Sequence, residues 1–252
     1  MELEIKKDER IDIIPGSDLK IIQNRKKFSY GMDAVLLSGF SSMKKEDRVV
    51  DLGTGTGIIP LLLQSRYKPK KIYGIEFQEE VANMATRSVH LNNLDEKIEI
   101  LNMDLKNIPQ VFNSNQFDVV TSNPPYMNKG GGIINSEYNF AISRHEIACT
   151  LEDIIEISSF LLKNGGKFFL VHRPHRLVDI VYLLRKYNIE PKEIQFVHPK
   201  VEEKPNLLLL KCRKGGKPEL KFREPLYVYN EDNTYTDGIY KIYGIDKENT
   251  ND

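Results

Sequence analysis

The stretch VVDLGTGTGIIPLLL, Val49 to Leu63, constrains this chain more than any other part of it. An apolar strand ends at Asp51, the chain turns through Gly53, Gly55 and Gly57, and an apolar helix follows. Glycines let the backbone approach a ligand closely, and the amides that open the helix can meet a carboxylate or phosphate. The loop is of nucleotide-binding type. A dinucleotide fingerprint would place a third glycine where Ile58 stands, and no Gly-Lys-Ser/Thr follows to make a phosphate-binding Walker loop. Taken alone, the turn also reads as a tight strand-to-helix connection.

Around this unit, short β-rich runs alternate with longer amphipathic stretches, the pattern of βαβ units on a parallel sheet. Strands are expected at Arg48–Leu52, Lys71–Phe77, Lys97–Asn102, Phe117–Ser122 and Lys167–His172. Helices are expected near Ile58–Ser65, Glu79–Asn92, Leu151–Lys163 and His175–Tyr187. Thr150 offers an N-cap for the helix at Leu151, Glu152 and Asp153 suit its first turn, and Gly165-Gly166 would end it. Two later runs, Glu193–His198 and Asn206–Cys212, flank a Pro- and charge-rich segment and read as an antiparallel pair. The expected fold is α/β: a doubly wound, mostly parallel, seven-stranded Rossmann-like sheet with an antiparallel edge hairpin. Upstream, LKIIQNRKKFSY reads as extended and GMDAVLLSGF as a short helix. Residues 1–46 are expected to form an N-terminal extension packed on a domain of residues 47–245, with a disordered tail at 246–252.

At 252 residues with 40% apolar side chains, the chain can bury a core without metal or disulfide. Its wholly apolar runs, such as Ile180–Leu184 and Leu207–Leu210, fall far short of the ~20 residues of a membrane helix. The N-terminus mixes both charge signs where a secretory signal would be apolar, and a cytoplasmic protein is expected. Cys149 and Cys212 are too few for a disulfide framework or a four-thiolate zinc site. The charge totals balance at 36 each, but Lys163 to Arg223 holds 15 Lys and Arg against 6 Asp and Glu. A basic face for RNA, with Arg173 and Arg176 just past a strand's carboxyl end, is one reading; solvated helix and strand exteriors are the other.

Acidic residues close the next two strands. Glu76 ends the second, where a doubly wound sheet sets an acid against ribose hydroxyls, and Asp104 ends the third, where it can accept from an exocyclic amine. Each could also serve as, or beside, a helix N-cap. The fourth strand runs into Asn123-Pro124-Pro125-Tyr126. Proline lacks an amide proton and holds its predecessor extended, so two in succession stiffen the loop and leave the Pro124 carbonyl as a fixed acceptor. With the Asn123 side-chain oxygen it can take both protons of a planar amine, aiming the nitrogen lone pair outward. Tyr126 would stack on the plane of a base or amide, a contact of ~1–3 kcal/mol for bases. Between Tyr126 and Phe140, MNKGGGIINSEYNF reads as a loop over the substrate mouth.

Together these residues resemble class I S-adenosylmethionine-dependent methyltransferases, and Asn123–Tyr126 resembles the element of their amino-methylating subset. With KKFSYGMDAVLL, SRHEIACTLEDII and GGKFFLVHRP, the chain is most similar to the bacterial tRNA1(Val) adenine-37 N6-methyltransferase family, from roughly Gln23 to Lys211. The resemblance implies S-adenosyl-L-methionine bound by Asp51, Gly53, Gly55, Gly57, Glu76 and Asp104, with Asp33 near its methionyl end. It implies an RNA partner, to which Arg144, Arg173 and Arg176 are assigned as contacts; an amine held by two acceptors needs no metal, and a monomer is expected. His145 in Arg144-His145-Glu146 reads as a surface or packing residue, because an activated methyl donor needs orientation more than a strong base. A protein glutamine methyltransferase with the same tetrapeptide stays open, as does DNA modification. The first usually carries a large N-terminal helical domain, and the second a recognition domain for which no separate segment fits. A binding module without turnover would be expected to have lost Asn123 or the glycines.

Overall fold

The computed structural model describes residues 5–24, 29–125 and 149–246. Among them, a first hairpin pairs β1 (Glu9–Ile13) with β2 (Lys20–Asn24), and α1 (Met32–Phe40) leads into the main sheet. Strands β3 (Arg48–Leu52), β4 (Lys71–Glu76), β5 (Ile98–Asn102), β6 (Phe117–Ser122) and β7 (Leu162–His172) run parallel. They are joined by α2 (Ile58–Tyr67), α3 (Glu79–Leu91), a short α4 (Ile108–Val111) and α5 (Leu151–Leu161). After α6 (Leu177–Lys186), β8 (Ile189–His198) and β9 (Leu207–Lys214) pair antiparallel, and β9 inserts between β8 and β7. The expected doubly wound sheet with its antiparallel pair is therefore present. Two further strands of two residues each, β10 (Lys221–Phe222) and β11 (Leu226–Tyr227), extend the expected seven by pairing along β8.

Alternation along the strands builds a core on each face of the sheet. Val49, Val119 and Phe169 point to one side, where they meet Val35 and Leu36 of α1 and Ile59 and Leu63 of α2. Val50, Val120 and Phe168 point to the other, against Ile108, Ile154, Ile155, Ile180 and Leu184 from α4 to α6. The hairpin docks on α3: Ser88 Oγ accepts from Ile22 N at 2.9 Å, and Arg87 holds Glu9 through two bonds of 2.8 and 2.7 Å. That guanidinium holds the Glu9 carboxyl below its ordinary range.

Thr150 caps α5 in a reciprocal box with Asp153, as expected. Gly165-Gly166 does not end that helix. The helix stops at Leu161 and the chain enters β7 directly, while the glycines make a bulge in which Phe117 pairs with Leu162 but Val119 with Lys167. The sequence pattern predicts neither β1 nor α4, because five and four residues carry too little periodicity. It does not predict α7 (Asp237–Tyr243) either, which packs Ile239 into the α1-side core. The tyrosines of this last region stack on one another, Tyr235 against both Tyr229 and Tyr243. The turn of the first hairpin reaches the end of α7: Gly16 has φ +72°, and a Cβ there would fall 1.8 Å from the Tyr243 carbonyl oxygen. Arg66 of α2 donates to the Ile242 carbonyl at 2.5 Å beside it. No helix of the described residues is long and apolar enough to cross a membrane.

Candidate active site

The sheet reverses its winding between β3 and β6, and in such sheets ligands sit outside the strands' carboxyl ends at that point. The two strands are locked there by side chains as well as by the ladder. Ser122 Oγ donates to the Leu52 carbonyl at 2.9 Å, and Thr121 Oγ1 donates to Asp51 Oδ1 at 2.6 Å. Asp51 is fully buried. Burial pushes its carboxyl up to about 6, against the pull of the Thr121 and Thr54 hydroxyls, with nearby Glu76 adding to the push. Asp51 Oδ2 and Thr56 Oγ1 are buried without a hydrogen-bond partner among the described residues. Buried polar atoms in this state usually belong to a ligand or water site.

From Asp51 the chain folds into the glycine loop. The amides of Gly53 and Thr54 both donate to the Ile75 carbonyl, at 3.0 and 2.9 Å, which pins the loop to β4. Gly53 has φ +73°, and a Cβ built there meets nothing within 4 Å, so it would point into open space. Gly57 has φ +86° for a different reason, since its Cβ would lie 3.3 Å from that of Ala85 in α3. Gly55 donates its amide to Glu76 Oε2 at 3.0 Å, and Gln78 donates to Glu76 Oε1 at 2.9 Å. Glu76 is thus a brace between loop and α3, only 2% exposed, as well as the strand-end acid the sequence suggested. Phe77 follows it, 47% exposed among the described residues.

One cleft collects these elements: Gly53, Phe77, Asp104, Pro124, Pro125 and Cys149 all line it. Asp104 caps a short 3-10 turn by accepting from Lys106 N at 2.9 Å, so its local role and its place in the cleft coexist. Asn123 is half-buried directly after β6, Pro124 is buried and Pro125 exposed. Sequence reasoning does not single out Phe77, Thr121 or Cys149. A strand-end aromatic, a mid-strand threonine and a lone cysteine carry no spacing signal, and only the register Asp51↔Thr121 reveals the second. Burial pushes the Cys149 thiol up to about 12, helped by Asp153 and Asp104, so it stays protonated.

Other expected residues lie apart from this cleft. Asp33 sits in the first turn of α1, where it does not cap the helix; the N-cap is Gly31 and no side chain bonds to it. Its charge acts on Tyr243, whose hydroxyl is pushed up mainly by burial. Arg173 and Arg176 do follow β7's carboxyl end, but Arg173 donates to the Asn206 carbonyl at 3.0 Å and Arg176 pairs with Asp179 at 2.8 Å. Most of the positive charge between Lys163 and Arg223 lies elsewhere. Arg185 pairs with Glu190, Lys186 with Glu152, and Lys214 donates to the carbonyls of Ser159 and Leu162. Tyr126, Arg144, His145 and the glycine-rich segment after Tyr126 lie outside the described residues, as do residues 247–252.

The raised Asp51 gives a direct expectation for stability. Its folded pKa of about 6 exceeds that of the unfolded chain, so the stability tied to its proton is present at low pH and lost as pH rises through 6. Asp51→Asn does not titrate. Its unfolding free energy relative to the parent is expected to improve by about 1–2 kcal/mol between pH 5 and pH 8. Thermal unfolding at the two pH values checks this; parallel shifts in both proteins would contradict it.

Comparison with known proteins bears on the family and the fold. The tRNA1(Val) (adenine(37)-N6)-methyltransferase of Pedobacter heparinus is 26% identical over 212 residues, 83% of this chain and 86% of that one. The protein of the same name from Tolumonas auensis is 27% identical over 226 residues, 86% of this chain and 88% of that one. Among solved structures, a predicted O-methyltransferase from Agrobacterium tumefaciens shares the fold with a TM-score of 0.69 at 24% identity, over 85% of this chain and 97% of that one. A family model matches residues 24–186, which take in the glycine loop, the two strand-end acids and the Asn-Pro-Pro run; the chain belongs to the methyltransferase small domain family.

Proposed function

We propose that this chain transfers a methyl group from S-adenosyl-L-methionine to the N6 amine of an unpaired adenine in RNA, at position 37 of a tRNA anticodon loop. The observation that carries the reading is the meeting of the glycine loop, Phe77, Asp104 and the Pro124-Pro125 turn in one cleft at the sheet's reversal point. The names of the Pedobacter heparinus and Tolumonas auensis relatives support the adenine and the tRNA. A cytoplasmic location follows from such a substrate.

The residues fit this cofactor on their own evidence. Gly53 leaves open space where any side chain would project, and Asp51 Oδ2 is a buried oxygen in want of a donor. A buried carboxylate seeks a cation, and the methionyl ammonium is one. Glu76, fixed by the backbone amides of Gly55 and Gln78, is the strand-end acid placed for a ribose diol. Phe77 offers its exposed ring to the adenine face, and Asp104 an oxygen to its amine. S-adenosyl-L-methionine supplies an activated electrophilic methyl when bound. The chain's own part is then to orient the attacking amine: Asn123 Oδ1 and the Pro124 carbonyl accept its two protons and turn its lone pair toward the methyl. Orientation of this kind can contribute ~7–11 kcal/mol. A loop adenine is already unstacked, which spares the few kcal/mol of flipping it from a duplex.

Labelled methyl transfer from the cofactor to purified tRNA and to cell protein tests the reading. Label in tRNA, recovered as N6-methyladenosine at one position, is expected; label confined to protein glutamine would replace it with the alternative.

A further inference from the structure

At the opposite end of the sheet from the cleft, a groove of about 510 Å³ is lined by seven cationic side chains and four carboxylates. It lies at the amino ends of β3, β6 and β7, where Lys44 and Asp47 precede β3 and Asp118 is the second residue of β6. Three of its carboxylates are taken. Lys163 pairs with Asp118 at 2.6 Å, Lys221 with Glu219 at 3.7 Å, and Glu193 is held by both Lys211 and Arg223. Asp47 accepts from its neighbour Lys44 through that residue's backbone amide.

What remains is cationic. Lys167 and Arg213 stand directly opposite each other on β7 and β9, on one face of the sheet. Like charges in that position destabilise a sheet. Among the described residues Lys167 donates only to the Ser42 carbonyl at 3.0 Å, and neither Arg213 nor the Lys44 ammonium has a carboxylate partner. Burial, together with the charges of Lys211, Lys44 and Arg213, pushes the Lys167 ammonium down from its ordinary value despite Asp47 nearby. The guanidinium of Arg213 lies over the β7 bulge, its Nη2 3.2 Å from where a Cβ on Gly165 would be. The bulge glycine therefore makes room for this charge. Glu190, opposite Arg213 on β8, is paired with Arg185, and Asp47 alone does not balance Lys44, Lys167 and Arg213, so an anion supplied from outside would relieve the excess.

We propose that this groove binds backbone phosphates of the RNA substrate at a second position, through Lys44, Lys167 and Arg213. The inference rests on the RNA reading above. Lys167 pairs at the level of Val119, four residues before Asn123, which puts the groove's near edge roughly 13 Å from the cleft along the strand direction. A loop oligonucleotide placed in the cleft need not reach it, whereas the body of a folded tRNA can. Such a contact adds affinity without reading sequence.

Arg213→Glu is the sharpest variant: it turns the opposed pair with Lys167 into an attractive one but also faces Glu190 on β8, so the two effects offset and the melting temperature should stay close to the parent's. Lys44→Ala, at an exposed position, is the independent second variant. Binding of full-length tRNA should weaken about tenfold in Arg213→Glu, and its salt dependence should flatten by roughly 0.7–0.9 in slope for each phosphate no longer neutralised. Affinity for the cofactor and for an isolated anticodon-loop oligonucleotide should not change. Unchanged tRNA affinity and slope in both variants, or an equal loss on tRNA and oligonucleotide, would overturn the groove while leaving the methyl-transfer reading in place. If the parent protein neither binds nor methylates tRNA, both fall together.

Discussion

Asn123→Ala is expected to lower single-turnover methyl transfer by ~10²–10³, the usual cost of removing one preorganised polar contact to a reacting group. Cofactor affinity should hold, because the residues proposed to bind the cofactor come from β3, β4 and β5 and their loops, whereas Asn123 follows β6. Its backbone is set from elsewhere, by the bond of Ser122 Oγ to the Leu52 carbonyl and by the two prolines, so losing the amide should not release the turn. Calorimetry for the cofactor and a quenched-flow rate for the methyl separate the two effects. A near-normal rate with intact binding would remove Asn123 from the reaction.

Gly53→Val should abolish cofactor binding, with affinity down by about 100-fold or more, while the fold survives. The local cost is backbone strain at φ +73°, of order 1–3 kcal/mol, with no packing clash because nothing described lies within 4 Å of the added Cβ. The isopropyl group would instead occupy the cleft. Gly57→Val supplies the contrast: it also presses on Ala85 of α3, 3.3 Å away from the first added carbon, so it should lose stability and binding together. Melting curves with and without cofactor read both variants. A Gly53→Val protein that binds normally would place the cofactor elsewhere.

Much of this is legible in the sequence because it rests on local rules. Strand β3 with its glycine loop, the two strand-end acids and the capping box at Thr150 each depend on residues adjacent in the chain. The same holds for the alternation of strands and helices that specifies a parallel sheet. What stays hidden depends on register. Gly165-Gly166 look like a helix stop until β7 is laid beside β6, when they become a bulge. The bond of Thr121 to Asp51, and the opposition of Lys167 and Arg213, exist only once strands distant in sequence are paired. Charge counting along Lys163 to Arg223 suggests one basic surface, but alternation and strand direction distribute those cations between both ends of the sheet and its interior.

The meeting of Gly16 with the end of α7 has a kinetic meaning. It joins residues near opposite ends of the described chain, outside the segment that the family model covers on either side. Closing so long a loop in an open chain carries a large entropic penalty, which grows as the logarithm of loop length. Once the sheet is assembled, most of that penalty has been met by the strand pairings in between. The seam is therefore expected to close last, after the cleft has its shape, and to be the first place to open; early hydrogen exchange at the amides of Tyr243 and Gly244 relative to those of β3 and β6 would show it.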